Sequence, residues 1–562
     1  MQPLAVLIDI LAILGMSMPC SATAPPTTPP PTTLTNGTIN SQVRLAYAGN
    51  TGMMVSWNTF VKVAKPRVYY GLSPYLLLFV AQSTVSVTYN TSLTYNNHVP
   101  LNHLLPDTVY YYRPDPLLTD DSTTVPYSFR TSRRPGDGTP YSVAVTIDMG
   151  TMGPDGLSTT AGAGVRPTNV LGPNDNNTVQ SLTAVVDSYD FLWQPGDMAY
   201  ADYWLKEEIQ GFLPNISIAE GYKVYESILN NFYDEMTPIT TKKPYMVGPG
   251  NHEADCLVGT QTDTSRHITY NDSICMPGQT NFTGFINHFR MPSAQSGGTG
   301  NFWYSFDHGM AHYIQLDTET DLGHGFIGVD EPGGAGGQHS GPFSNIMNAQ
   351  TTWLKNDLAA VDRQKTPWVI VSGHRPWYLS YANVSKTICW PCKDVFEPLL
   401  LEYGVDLYIS GHAHVYQRSA PLDNGVIDPN ELNNPSAPWY ITNGAAGHYD
   451  GLDFLASPAQ PYQRFGLDTN DGIYGWSRLT FHNCTHLTHD FVASKNGTVL
   501  DRATFLDCDS LGDELPKRET RCLASFLIAL SPSDAVKGSP GCKKKDPRSS
   551  TESAGTIGAA EV

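Results

Sequence analysis

Four runs early in the chain carry apolar residues in short clusters or in alternation, with no helical period. They are Val43-Arg44-Leu45-Ala46-Tyr47, Met53-Met54-Val55-Ser56-Trp57, Arg67-Val68-Tyr69-Tyr70 and Val109-Tyr110-Tyr111-Tyr112. Pro, Gly and Asn separate them, so residues 39–134 are expected to form a small β-sandwich. The linker Arg133-Arg134-Pro135-Gly136-Asp137-Gly138 closes it. From residue 140 the texture changes to short apolar runs interspersed with helical spacing. Met347, Trp353, Leu354, Leu358 and Val361 recur at helical intervals across 345–361, and Val395, Phe396, Leu399, Leu400 and Tyr403 across 395–403. The short runs between them suit strands buried on both faces of an α/β fold. β texture returns over 438–507 and completes a domain spanning 140–510, with Trp439-Tyr440-Ile441-Thr442 and Trp476-Ser477-Arg478-Leu479-Thr480-Phe481 as its clearest runs.

A chain of 562 residues exceeds what one core can organise, in keeping with two domains. Its ends have another character. Leu4 to Met18 is mostly apolar and Ala22-Thr23-Ala24 offers small residues for cleavage, so residues 1–24 read as a secretory signal. The alternative, an anchor helix, is short for a bilayer. Residues 25–38 are a Pro/Thr-rich linker, and 511–562 are expected to be disordered or processed, with Lys517-Arg518 a candidate cleavage point. Leu523 to Leu530 is apolar but too short to span a membrane.

Charged residues make up 15% of the chain, below the roughly 25% usual in soluble proteins, so something else must hydrate the surface. Nine glycosylation sequons supply a candidate: Asn36, Asn90, Asn176, Asn215, Asn271, Asn281, Asn383, Asn483 and Asn496. A net charge of -19 argues against nucleic acid or an anionic membrane as partner, and suits an acidic medium. Removing the signal takes Cys20 and leaves eight cysteines, an even number that fits an oxidising compartment. The local pairs Cys256–Cys275, Cys389–Cys392 and Cys484–Cys508 are expected; Cys389-Trp-Pro-Cys392 could be a redox motif, but no thioredoxin-like pattern surrounds it. Together these features predict a secreted, N-glycosylated protein.

Five apolar runs each end in a turn bearing metal-ligand residue types. Val143–Ile147 leads into Asp148-Met149-Gly150, Phe191–Gln194 into Gly196-Asp197-Met198-Ala199-Tyr200, and Tyr245–Val247 into Gly250-Asn251-His252-Glu253. Trp368–Val371 leads into Ser372-Gly373-His374-Arg375, and Leu407–Ile409 into Gly411-His412-Ala413-His414. Ligands bind at the carboxyl ends of strands in open α/β sheets, so distant loops can converge there. Carboxylate, phenol, amide oxygen and imidazole without thiolate fit iron, manganese or zinc. Seven donors are too many for one tetrahedral ion and suit two ions sharing a bridge, with Asp197 the natural bridge. Tyr200 discriminates further: a phenol with an ordinary pKa near 10 ligates well only to a strongly acidic ion, which points to Fe(III). Each motif alone reads equally as a polar turn; the ordered set of five does not. His308 and His312 lie in a run of paired strands and are expected to be structural, and Asp317, Glu319 and Asp321 to form a hydrogen-bonded turn.

The five blocks resemble the purple acid phosphatases, a binuclear branch of the metallophosphoesterases. The likeness extends to Thr94-Tyr95-Asn96-Asn97-His98 and Tyr127-Ser128-Phe129-Arg130-Thr131, and covers about residues 40–507. It implies a fibronectin-III-like β-sandwich followed by an α/β metallophosphoesterase domain of two packed mixed sheets flanked by helices. The long form resembles plant and fungal members, and Ile147-Asp148-Met149-Gly150-Thr151-Met152-Gly153-Pro154-Asp155-Gly156 looks more fungal. By motif, the resemblance implies that Asp148, Asp197, Tyr200 and His414 hold Fe(III). Asn251, His374 and His412, with bridging Asp197, would hold divalent iron, zinc or manganese. It implies hydrolysis of small phosphate monoesters by a metal-bound hydroxide, with Asn251, His252 and Arg375 contacting substrate and His252 acting as general acid. Two departures stand out: Ile147 replaces a frequent Gly, and Arg375 to Val384 contains none of the histidines that plant members carry there. A phosphodiesterase or nucleotidase on the same scaffold is disfavoured by Tyr200, and a vestigial metal site in a binding or cell-wall protein by the presence of all seven ligands.

Overall fold

The computed structural model describes residues 40–507, apart from 116–124, 152–169, 173, 210–212, 214–216, 254–257, 264–267, 274–275, 321–348, 382–386 and 448–450. The expected signal, linker and tail lie outside the described residues. Eight strands come first: β1 (Ser41–Tyr47), β2 (Met53–Thr59), β3 (Arg67–Gly71), β4 (Phe79–Gln82), β5 (Ser86–Val87), β6 (Tyr95–Leu101), β7 (Val109–Asp115) and β8 (Tyr127–Arg130). They form two antiparallel sheets, ordered β1-β2-β6-β5 and β4-β3-β7-β8, around a core that includes Val55, Trp57, Val68, Val99 and Tyr112. β1 is buried along most of its length because it lies between the sandwich core and the second domain. The Tyr47 ring meets Phe191 at 5.7 Å and Phe306 at 5.8 Å, and Arg44 donates through Nε to the His288 carbonyl at 2.9 Å.

The second domain opens with β9 (Tyr141–Val145), helix α1 (Thr178–Ala184), β10 (Leu192–Pro195), helix α2 (Gly221–Thr240) and β11 (Tyr245–Gly248). A hairpin of β12 (Val258–Asp263) and β13 (Ile268–Ser273) precedes β14 (Tyr304–His308) and β15 (Ala311–Gln315). Helix α3 (Ala349–Ala360), β16 (Trp368–Ser372), helix α4 (Trp390–Glu402) and β17 (Leu407–Ser410) come next. The chain then turns back and forth through β18 (Tyr416–Asp423), β19 (Val426–Ile427), β20 (Trp439–Asn443), β21 (Gln463–Leu467), β22 (Gly475–Asn483), β23 (His486–Ala493) and β24 (Val499–Leu506).

Apart from the β12–β13 hairpin, these strands build two mixed sheets. One is ordered β11-β10-β9-β22-β23-β24; the other is β14-β15-β16-β17-β20-β18-β19, with β21 also on β18. β9, β10 and β11 are parallel, as are β15, β16, β17 and β20, so the loops after them leave from the same end of each sheet. The sheets pack through aromatic side chains. Tyr313 stands edge-on to Phe191 at 5.1 Å and to Trp193 at 5.7 Å, and the Trp193 indole donates to Gln315 Oε1 at 2.8 Å.

Helical spacing located α3 and α4 but not α2. The buried side of α2 carries Tyr225, Phe232, Met236 and Ile239, and Pro238 stands in its last turn, so its stripe is aromatic and interrupted rather than aliphatic. α4 begins earlier than its apolar spacing indicates. Pro391 stands in its first turn, and Cys389, bonded to Cys392, accepts the Cys392 N–H at its start. Cys484 is also disulfide-bonded; Cys256, Cys275 and Cys508 lie outside the described residues. His308 binds Asp190 at 2.9 Å, and His312 is held between Asp307 and Asp357 at 2.7 and 3.0 Å. Asp317 closes a turn by accepting the Glu319 and Thr320 N–H groups; Asp321 lies outside the described residues.

Candidate metal centre

The five ligand-bearing loops come after β9, β10 and β11 in one sheet and β16 and β17 in the other, and they meet where the two sheet ends come together. Their backbones are unusual. Asp148, Asp197, Tyr200 and His412 have φ values of 60°, 49°, 53° and 67°, in the left-handed region that disfavours side chains. Such residues persist only where the surroundings over-determine them. Here the restraint is visible. Glu253 accepts N–H groups from Asp197 (2.9 Å), Met198 (2.9 Å) and Gly250 (2.7 Å), tying the second loop to the third. Met149 and Gly150 donate to the carbonyls of Asp197 and Met198, tying the first to the second. Two glycines are sterically required: a Cβ on Gly250 would lie 2.2 Å from Asp197 Oδ1, and one on Gly411 2.2 Å from Asp148 Oδ2.

These restraints aim the carboxylates. Asp148 Oδ2 accepts the His412 N–H at 2.7 Å and Asp197 Oδ1 accepts the His252 N–H at 2.9 Å. The other oxygen of each then faces inward. Around Asp148 Oδ1 and Asp197 Oδ2, the Tyr200 hydroxyl lies at 2.9 and 3.2 Å, and it is 3.1 Å from His414 Nε2. On the opposite side His374 Nε2 lies 3.0 Å from Asp197 Oδ2, 3.1 Å from Asn251 Oδ1 and 3.2 Å from His412 Nδ1. The seven residues thus fall into two groups of four that share Asp197 Oδ2.

The donor chemistry fits cations. Two carboxylate oxygens compete for the one Tyr200 hydrogen, and a carboxylate and an amide oxygen for the one at His374 Nε2, so hydrogen bonding alone does not account for the convergence. Asp197, His374 and His412 place one ligand atom each within 4.8 Å of one another. Titration behaviour of the protein alone agrees. Burial pushes the Asp148 carboxyl well above the ordinary carboxylate range. Burial opposes charge on Asp197 too, but His374 and His252 beside it outweigh that and hold it well below the range. His374 is buried yet raised to about 9, because Asp197 and Asp148 favour its charged form. A proton on His374 thus supplies positive charge that a metal ion would supply instead. Burial, reinforced by both carboxylates, drives the Tyr200 phenol well above its ordinary value.

His252 stands beside the cluster rather than in it. Its Nδ1 lies 2.7 Å from Asp202 Oδ2, its ring is 4.4 Å from Tyr200 and 4.8 Å from Tyr203, and its Nε2 is 3.9 Å from Asp197 Oδ2. His252, His412 and His414 keep some solvent exposure, whereas Asp148, Asp197, Tyr200, Asn251 and His374 are buried. The open side of the centre is therefore lined by histidines.

Arg375, expected from the sequence as a phosphate contact, has its partners within the protein. Its side chain is 0% exposed, Nε lies 2.9 Å from Glu319 Oε2, and Nη1 lies 3.0 Å from His412 Nε2. The buried Glu319 carboxylate holds the guanidinium, which also reaches His412. Arg375→Leu is therefore expected to lower stability by about 3–5 kcal/mol in urea titration by stranding Glu319, and Arg375→Leu with Glu319→Leu to recover most of it. Failure of the double variant to recover would show that the pair does not carry this stability.

Glu253, Asp202 and Asp453 are supporting residues that the motifs left without a role, and Glu319, expected in a hydrogen-bonded turn, also pairs with Arg375. Glu253 stands inside one of the blocks and Asp202 just after another, both within reach of a local reading. Asp453, which accepts the His414 N–H at 2.9 Å, has no local signal. Of the sequons, Asn90, Asn176, Asn281, Asn483 and Asn496 are exposed. Asn36, Asn215 and Asn383 lie outside the described residues, as does the side chain of Asn271.

Two packed mixed sheets with five convergent ligand loops define a metallophosphoesterase, and residues 174–416 match the calcineurin-like phosphoesterase family. Residues 40–131 match the purple acid phosphatase N-terminal domain, and 437–502 match the iron/zinc purple acid phosphatase-like protein C family. Acid phosphatase A of Cryphonectria parasitica is 38% identical over 500 residues, covering 84% of this chain and 93% of that one. An acid phosphatase of Aspergillus ficuum is 31% identical over 574 residues, covering 86% and 89%. The chain belongs to the purple acid phosphatase family. In fold it is similar to a purple acid phosphatase from yellow lupin seeds, with a TM-score of 0.60 at 21% identity over 84% of this chain and 75% of that one.

Proposed function

We propose that this protein is a secreted acid phosphatase that hydrolyses small phosphate monoesters at an Fe(III)–M(II) centre. Asp148, Asp197, Tyr200 and His414 would hold Fe(III); Asn251, His374 and His412, with Asp197, would hold a divalent iron, zinc or manganese ion. The observation that carries the reading is the Tyr200 hydroxyl, within 2.9–3.2 Å of Asp148, Asp197 and His414. Only a strongly acidic ion displaces the proton of a phenol buried against two carboxylates. Bound ions would supply Lewis acidity toward the phosphoryl oxygens and an activated water.

The chain's own residues do the remainder. Asp202 binds His252 Nδ1 and so presents Nε2 to the open side, where a proton on it is delivered to the departing alcohol. Asn251 and His252 contact the phosphoryl group. Burial of the carboxylates and the phenol excludes bulk water from all but that side. Secretion rests on residues 1–24 as a signal, and N-glycosylation on nine sequons, of which five are exposed where described. We assign 25–38 as linker, 39–134 as sandwich, 140–510 as catalytic domain and 511–562 as tail. No helix among the described residues is long and apolar enough to cross a membrane.

The test is hydrolysis of a matched phenyl monoester and bis-phenyl diester between pH 4 and pH 8. Monoester turnover is expected to dominate and to be highest below neutrality. Preference for the diester, highest above neutrality, would contradict the assignment.

A further inference from the structure

The loop that carries Asp197 and Tyr200 runs directly into a 3-10 turn, Ala201–Tyr203, and then a short helix, Trp204–Ile209. Side chains three apart lie one over the other in such a turn, so Tyr203 follows Tyr200 onto the same side. Their ring centroids are 5.8 Å apart. The His252 ring adjoins both, 4.4 Å from Tyr200 at 41° and 4.8 Å from Tyr203 at 78°. The turn is fixed from behind. Ala201, Asp202, Trp204 and Leu205 are buried, Asp202 lies 2.7 Å from His252 Nδ1, and the Trp204 ring leaves no room for a Cβ on Gly221 of α2. Tyr203 alone among residues 201–205 keeps solvent exposure, and so does His252, the ring it touches. A large aromatic side chain is thus held partly exposed beside His252, although its neighbours on both sides turn inward.

We propose that Tyr203 determines leaving-group specificity: its ring forms an aromatic wall beside His252 that favours phosphate monoesters of aromatic alcohols over aliphatic ones of equal size. The inference rests on the reading of His252 as proton donor to the departing alcohol. Such a donor must stand within hydrogen-bond reach of the ester oxygen. In an aryl ester the ring begins one bond beyond that oxygen. An aromatic leaving group seated for protonation therefore lies alongside the His252 ring, next to the ring that flanks it.

Aromatic pairs favour edge-to-face and offset arrangements over a range of separations, and gain affinity beyond the area they bury. An aliphatic group of the same size gains the area alone. Because Tyr203 stands nearly perpendicular to His252, the two rings present different faces to one leaving group, and the rigid turn holds that angle before substrate arrives. The discrimination belongs to binding of the leaving group, whereas the proton is supplied by His252.

The experiment is calorimetric titration of the metal-loaded full chain with two unreactive analogues matched in size, benzylphosphonate and cyclohexylmethylphosphonate, in the wild type, Tyr203→Ala and Tyr203→Phe. The wild type is expected to bind the benzyl analogue about two- to tenfold more tightly. Tyr203→Ala is expected to bind the two alike, and Tyr203→Phe to keep the wild-type preference. In turnover, Tyr203→Ala should raise KM for phenyl phosphate more than KM for cyclohexyl phosphate, with the loss in KM rather than in kcat. A preference that survives Tyr203→Ala, or that disappears in Tyr203→Phe, overturns the proposal. So does a fall in kcat for both esters with the phosphonate preference intact, since Tyr203 would then serve only to hold His252. A wild type that turns over neither ester overturns the phosphatase reading and this proposal with it. One that turns over both but shows no calorimetric preference overturns this proposal alone.

Discussion

Replacing Asp197 with Asn is expected to strip both metal positions and to lower kcat/KM for a phosphate monoester by at least about 10³-fold, the scale of losing the activated water altogether. Asp197 Oδ2 is the one atom common to both groups of candidate ligands, 3.2 Å from the Tyr200 hydroxyl and 3.0 Å from His374 Nε2. Asparagine preserves shape and can keep accepting the His252 N–H now received by Asp197 Oδ1. It also tolerates the left-handed backbone at this position better than most residues. The change therefore removes charge and bridging capacity while sparing the loop. Metal content by mass spectrometry should fall toward zero for both ions, with the fold intact by circular dichroism. Retention of one full equivalent of each ion would show that Asp197 is not the bridge.

The second large effect is expected at His252. His252→Ala should leave metal content unchanged and lower kcat by roughly 10²–10³-fold for an alkyl phosphate, whose alcohol leaves only with a proton. For an aryl phosphate with a good leaving group, the loss should be about tenfold or less, since little proton donation is needed. Asp202→Asn should shift kcat in the same direction by about tenfold, because Asp202 holds the ring through Nδ1 at 2.7 Å. Equal losses for both leaving groups would assign His252 to phosphate binding rather than to proton transfer.

Much of the candidate centre was legible because each candidate ligand sits next to a local mark. A short apolar run reports a buried strand, and a turn with glycine or a ligand pair reports its end, so Asp148, Asp197, Asn251, His374, His412 and His414 could be read in place. What lay beyond reach was anything made by contact across the chain. The loops come from two sheets, which no local pattern distinguishes, since β9 to β11 and β16 to β17 are equally apolar. Arg375 stands next to the candidate ligand His374 in sequence, but its carboxylate partner Glu319 lies 56 positions away. Helix α2 escaped because tyrosines and a proline replace the aliphatic stripe that helical periodicity detects. Asp202 and Glu253 were in view but silent, since a carboxylate that orients a ring or ties down backbone N–H groups looks like any other in sequence.

The most direct measurement on the central reading is the visible absorption spectrum of the purified protein, taken with its metal content. The expected result is one iron and one further divalent ion per chain. A tyrosinate-to-iron charge-transfer band should be present in the wild type and lost in Tyr200→Phe, with the variant still folded. A colourless wild-type protein that holds two zinc ions and hydrolyses diesters would contradict the Fe(III) assignment and the role given to Tyr200.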